Sequence, residues 1–217
     1  MKILQGVVLL CVLFQATVAW CWDDADFQFW HTQQQEFKLD SNSRLTLEEE
    51  FRWGDDASDF YYHHYDVGYL YGAGKHLDVG LAFRKIFEEK KRVFKEENRP
   101  ELNLIVKTEI AGWKIEDRNR FEQRFIESAK DYGRYRNKLT LKLPWKWTRF
   151  EIQPYVADEV FVDLDKTNLS RNRLYSGIQA AVTRSIKAEA YYLRQASKSA
   201  GSWSDLNVLG LRCKVSF

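Results

Sequence analysis

The sequence has 217 residues, of which 45% are hydrophobic, 15% aromatic and 29% charged, with a formal net charge of +2. A mean hydropathy of −0.51, with no long apolar run beyond residue 20, excludes a polytopic helical membrane protein. The near-neutral charge removes any general case for nucleic-acid binding, and the high aromatic content with only three prolines excludes a disordered chain.

In chain order, residues 1–19 read as a secretory signal peptide. Lys2 is the positive n-region, residues 3–14 are the apolar h-region, and Thr17-Val18-Ala19 is the small-residue cleavage site. Residues 20–217 are then expected to form one domain. Bulky Trp20 before Cys21 argues against lipidation of that cysteine. Cys11 leaves with the signal, so Cys21 and Cys213 remain, enough for one disulfide in an oxidising compartment.

Beyond Ser43 the pattern has a period of two. In 44–53, Leu45, Leu47, Phe51 and Trp53 share one face, while Arg44, Thr46, Glu48, Glu50 and Arg52 share the other. The same alternation places Leu77, Val79, Leu81 and Phe83 opposite Asp78 and Arg84. It places Leu139, Leu141 and Leu143 opposite Arg134, Arg136 and Lys138, and Leu174 and Ile178 opposite Arg171 and Arg173. Further strands are expected over 60–71, 101–113, 115–126, 150–162 and 186–195. The last strand carries Leu209, Leu211, Cys213, Val215 and Phe217 on one face. Segment 27–39 can be an eleventh strand, part of a twelve-stranded barrel, or a piece inside the lumen.

The expected fold is all-β: an antiparallel up-and-down transmembrane β-barrel of about 10–12 strands. Strands near ten residues suit a tilted membrane crossing, and aromatics such as Trp53, Tyr71, Trp113, Trp145 and Trp203 cluster near strand ends as interfacial girdles do. The polar faces are dense in Arg and Glu. Phe217, at the end of an alternating strand, resembles the terminal aromatic read by the bacterial barrel-assembly machinery. With the C-terminus in the periplasm, tight periplasmic turns fall at 72–75, 144–147 and 184–185. Longer external loops fall at 54–59, 88–100, 129–133, 163–168 and 197–202. An even strand number would keep both ends periplasmic.

With apolar faces towards lipid, the lumen receives a charge network that includes Glu48, Glu50, Glu109, Arg118, Arg120, Glu122, Arg124, Arg136, Glu159 and Arg173. In a small barrel such side chains pair across strands and fill the interior, or else line a narrow pore. No catalytic residue is assigned. His63-His64 beside Asp66 is the only suggestive cluster, and adjacent residues on a strand point to opposite faces. No Cys/His metal spacing or Gly-rich phosphate loop is present, so no metal or cofactor is expected. Expected partners are the outer membrane, its lipopolysaccharide and the assembly machinery. A soluble periplasmic β-protein with a polar ligand inside, and a barrel-embedded lipid-modifying enzyme, are the alternatives.

The segment Asp117-Arg118-Asn119-Arg120-Phe121-Glu122-Gln123-Arg124-Phe125, followed by Tyr135-Arg136-Asn137-Lys138-Leu139, resembles the bacterial DUF2490 family, a domain of unknown function. So do residues 154–161, from Pro154-Tyr155 to Val160-Phe161, and Asn172-Arg173-Leu174-Tyr175-Ser176-Gly177. The resemblance implies an exported, outer-membrane β-barrel-like protein and carries over no catalytic residue. Its recurrent charged positions would be Arg118, Arg120, Glu122, Arg124, Arg136, Glu159 and Arg173, which parity separately places on the polar face.

Overall fold

A computed structural model describes residues 26–166, 168–199 and 201–217. The signal-peptide reading and Cys21 lie outside the described residues.

Among the described residues every regular element is a strand. In chain order these are β1 (Asp26–Lys38), β2 (Ser43–Gly54), β3 (Asp59–Gly72), β4 (Leu77–Lys90), β5 (Val93–Ile110) and β6 (Trp113–Ile126). They continue with β7 (Tyr132–Lys142), β8 (Gln153–Asp163), β9 (Asn168–Ala181), β10 (Ile186–Ser199) and β11 (Ser202–Ser216). Each strand pairs with its sequence neighbours, and β1 pairs with β11, closing the barrel.

Ten pairings are antiparallel, but β1 and β11 run parallel, from Asp26 opposite Leu206 to Glu36 opposite Ser216. This corrects the purely antiparallel arrangement. With an odd number of alternating strands the first and last point the same way, so only a parallel seam can close the sheet. Segment 27–39 supplies that odd strand. The two ends of the described chain therefore lie at opposite rims. The start of β1 marks the N-terminal rim and Phe217 marks the C-terminal rim. Phe217 is stitched into the seam: its N–H donates to the Glu36 carbonyl, and the Lys38 N–H donates to its own carbonyl. Its ring stacks on Phe37 with centroids 4.9 Å apart.

The connections also differ from expectation. Instead of a loop over 88–100, β4 and β5 meet in a two-residue turn at Lys91 and Arg92, both with positive φ as a tight hairpin turn requires. The longest connection, 143–152, lies on the C-terminal rim and is pinned by the Trp147–Ile152 bridge. At the β1–β2 turn the Asn42 N–H, then the Ser43 hydroxyl and N–H, hold the Asp40 carboxyl below its usual range.

Alternation sorts the side chains into two surfaces. Apolar residues face outward: Leu81 is 65% exposed, and Phe83, Leu102, Val106, Leu139, Leu174, Leu209 and Leu211 are exposed beside it. Trp113, Trp145 and Trp147 cluster at the C-terminal rim, while Phe29, Phe51, Trp53, Phe60, Phe94 and His63 cluster towards the other. The exterior also carries polar groups. Glu49 stands between Leu47 and Phe51; Asp117 accepts from Asn137 at 2.5 Å and Asp158 from Asn172 at 2.6 Å.

Candidate functional site

The interior has two unlike walls. Around β8–β11 and β1 it carries an aromatic and aliphatic cluster, with Trp30, Tyr155, Tyr175, Tyr191, Leu193 and Val208 buried together among charged positions such as Glu159, Arg173 and Arg212. Gly210 permits this packing, because a Cβ there would collide with the Tyr191 ring. Across β2–β7 the inward positions are charged, and the space between the walls is a cavity of about 670 Å³ lined mainly by ionic side chains.

Two carboxylates organise the centre. Glu122 receives Arg134 at 2.6 Å and Arg136 at 2.7 Å, with Arg99 at 3.9 Å. Glu159, 1% exposed, receives Arg136 at 2.7 Å, Arg118 at 3.1 Å and Arg173 at 3.7 Å, and the Tyr175 hydroxyl donates to it at 2.8 Å. Glu101 sits between Arg120 at 2.8 Å and Arg84 at 3.6 Å, and Arg84 also reaches Asp66 and Glu48. Towards the N-terminal rim, Glu97 holds Arg124 at 2.6 Å and Arg99 at 2.7 Å, while Glu50 holds Arg52 at 2.5 Å. Towards the C-terminal rim, Asp78 binds Arg44 and Lys107, and Glu36 binds Lys214 at 2.8 Å. These pairs join neighbouring strands and also strands two apart, so they cross-link the wall.

Among the sequence-derived positions, Glu48, Glu50, Arg118, Arg120, Glu122, Arg124, Arg136, Glu159 and Arg173 come together here. Glu109 does not. It has the inward parity but lies at the exposed end of β5, and it forms no ion pair with the described residues. The strand ends one residue later, so its carboxylate has the rim and not the interior for surroundings. Asp78 stands on the polar face that alternation gave it, but Asp66, Glu97, Arg99 and Glu101 also join the network. Glu101 shares the parity of Glu109 within the expected strand, and Glu97 and Arg99 fall in the segment 88–100 expected to be a loop.

The two adjacent histidines separate. His64 is buried inside, 3.3 Å from Glu48 and hydrogen-bonded to Tyr62, whereas His63 faces outward and stacks on Phe87 at 4.7 Å. No cluster of metal-ligating side chains occurs among the described residues. Chemically, the described interior offers guanidinium groups to anions.

A family model described as a protein of unknown function (DUF2490) matches residues 27–206, which is most of the chain and nearly all of the barrel. No curated protein matches the sequence.

Proposed function

We propose that this chain, which belongs to the DUF2490 family, is an exported bacterial outer-membrane β-barrel whose charge-paired lumen serves as a structural plug or a narrow pore. The observation that carries this reading is the inverted distribution of side chains. Large apolar residues stand exposed outside while buried carboxylates and guanidiniums fill the inside. In water this order is unfavourable. Each exposed Leu, Val or Phe forgoes part of the roughly 1.5–3 kcal/mol that full burial would give, and about twenty such residues do so. In a bilayer the same belt is satisfied. Phe217 in the seam agrees with a terminal assembly signal, and the cleaved leader over 1–19 would deliver the chain to the periplasm.

Expressed in a bacterium with an outer membrane, the chain should fractionate with that membrane and migrate faster on gels when unheated. A freely soluble protein without detergent overturns the reading. Reconstituted in planar bilayers, an electrically silent barrel marks the plug. Measurable conductance that shifts on replacing Arg120 or Glu159 marks the pore.

The exterior acids support a second reading, a soluble periplasmic barrel with a polar ligand inside. Glu49, Asp117 and Asp158 face outward at mid-strand, where lipid would be unfavourable. Even a lipid-facing Arg or Lys costs only about 2–4 kcal/mol at the midplane, and Asp or Glu costs less. Asp117 and Asp158 are also hydrogen-bonded to asparagines. These acids, together with outward Lys85 and Arg194, weigh less than the apolar belt, so the membrane reading stands first.

A further inference from the structure

The ion-pair network does not neutralise itself evenly along the barrel. Near the N-terminal rim, four guanidiniums surround the buried Phe161 ring: Arg136 at 4.5 Å, Arg173 at 4.9 Å, Arg134 at 5.3 Å and Arg171 at 5.6 Å. Trp30 bridges to a fifth, with Arg52 at 3.7 Å and Arg173 at 4.9 Å from its ring. The carboxylates serving this group are Glu50, Glu122 and Glu159, and the last two are shared with Arg99 and Arg118. Arg171 has none: among the described residues its hydrogen bond goes to the Ser197 hydroxyl at 3.2 Å, and no carboxylate lies within ion-pair distance. The charges that act on it most are all positive, from Arg173, Arg134, Arg52 and Arg124.

These guanidiniums line the cavity. They stack against aromatic rings inside the barrel, where a cation without a carboxylate partner is costly and an anion placed against it is favoured. Arginine's planar fork suits tetrahedral and carboxylate oxyanions, and several forks converging from β2, β7 and β9 suit phosphate in particular. We propose that the N-terminal mouth of the barrel is a binding site for a phosphate-bearing anion, held by Arg171 together with Arg52, Arg134 and Arg173. The phosphate can belong to a free solute or to a lipid headgroup; the recognising chemistry is the same. The site belongs to the closed barrel and stands whether that barrel sits in a membrane or in water.

Calorimetric titration of the folded full-length chain with pyrophosphate, and separately with short-chain phosphatidic acid, tests this. Binding in either arm is expected, weakening as salt rises. Pyrophosphate binding without phosphatidic acid identifies a soluble ligand, phosphatidic acid binding without pyrophosphate identifies a headgroup, and binding of both identifies a site that reads the phosphate itself. Arg171→Gln should lower affinity about tenfold or more, Arg171→Lys should retain most of it, and Arg184→Gln on the opposite rim should leave it unchanged. Absence of binding in both arms overturns the proposal, as does an equal loss in Arg171→Gln and Arg184→Gln. A chain that proves soluble can be titrated in plain buffer, so failure of the membrane reading and failure of this site are separate results.

Discussion

Glu159 shows what a single residue contributes to this interior. Its carboxylate is almost fully enclosed and answers three arginines and a tyrosine hydroxyl. Forming such a cluster gains little net stability, because desolvating the charges offsets their attraction. Removing one member is different, since it strands buried cations. Glu159→Gln should destabilise the barrel by about 3–5 kcal/mol. Glu109→Gln, at the exposed end of β5, should stay within about 0.5 kcal/mol of the parent. Urea titration of the folded, fast-migrating gel band measures both, and comparable losses in the two variants would remove Glu159 from its central place. Glu109 illustrates how far parity reasoning reaches. Parity assigns a face, but the height along the barrel decides whether that face is interior or rim, and height depends on strand ends that alternation does not fix.

At the scale of elements, most strands were legible because they have one apolar and one charged face, and β2, β3 and β6 fall within a residue or two of the expected bounds. The β4–β5 hairpin was not. Its turn uses Lys91 and Arg92 at positive φ where asparagine or glycine would have announced it. Pro100, which reads as a breaker, sits inside β5 facing outward, where the ladder to β6 runs from Asn98 to Glu101 without a bond at the proline. The seam was illegible for another reason: Gln33, Gln34 and Gln35 weaken the alternation of β1, and nothing local reveals a partner that lies at the far end of the chain. Its register can be checked directly. Gln33 is opposite Cys213, both facing outward on neighbouring strands about 4.8 Å apart, within disulfide reach. Gln33→Cys in a Cys21→Ser background should form a reducible cross-link that shifts gel mobility under oxidation, whereas Gln34→Cys, pointing inward, should not. A ten-stranded barrel without β1 in the wall would give neither.

For the whole molecule, the alternation of rims fixes which turns share a side. Lys91-Arg92 lies on the N-terminal rim with the start of β1, and 182–185 lies on the C-terminal rim with Phe217. With Phe217 periplasmic, the first rim is external. In a chain whose own cysteines are replaced, a membrane-impermeant maleimide applied to intact cells should label Arg92→Cys and spare Arg184→Cys until the outer membrane is permeabilised. The opposite pattern would invert the orientation, and equal labelling in intact cells would deny that the barrel spans a sealed membrane. With that orientation, the external rim is the one that carries the arginine cluster.

The parallel seam has a consequence for any attempt to re-engineer the chain. In an even-stranded barrel the two termini emerge side by side, so they can be joined by a few residues and the chain reopened at another turn. Here a joining segment would have to travel the full height of the wall, roughly ten or more extended residues at about 3.3 Å each, either through the occupied interior or along the outer surface. Circular permutation is therefore impractical for this barrel. Conversely, a short peptide appended before β1 and another appended after Phe217 would be held on opposite faces, making the molecule a two-sided scaffold by virtue of its strand number alone.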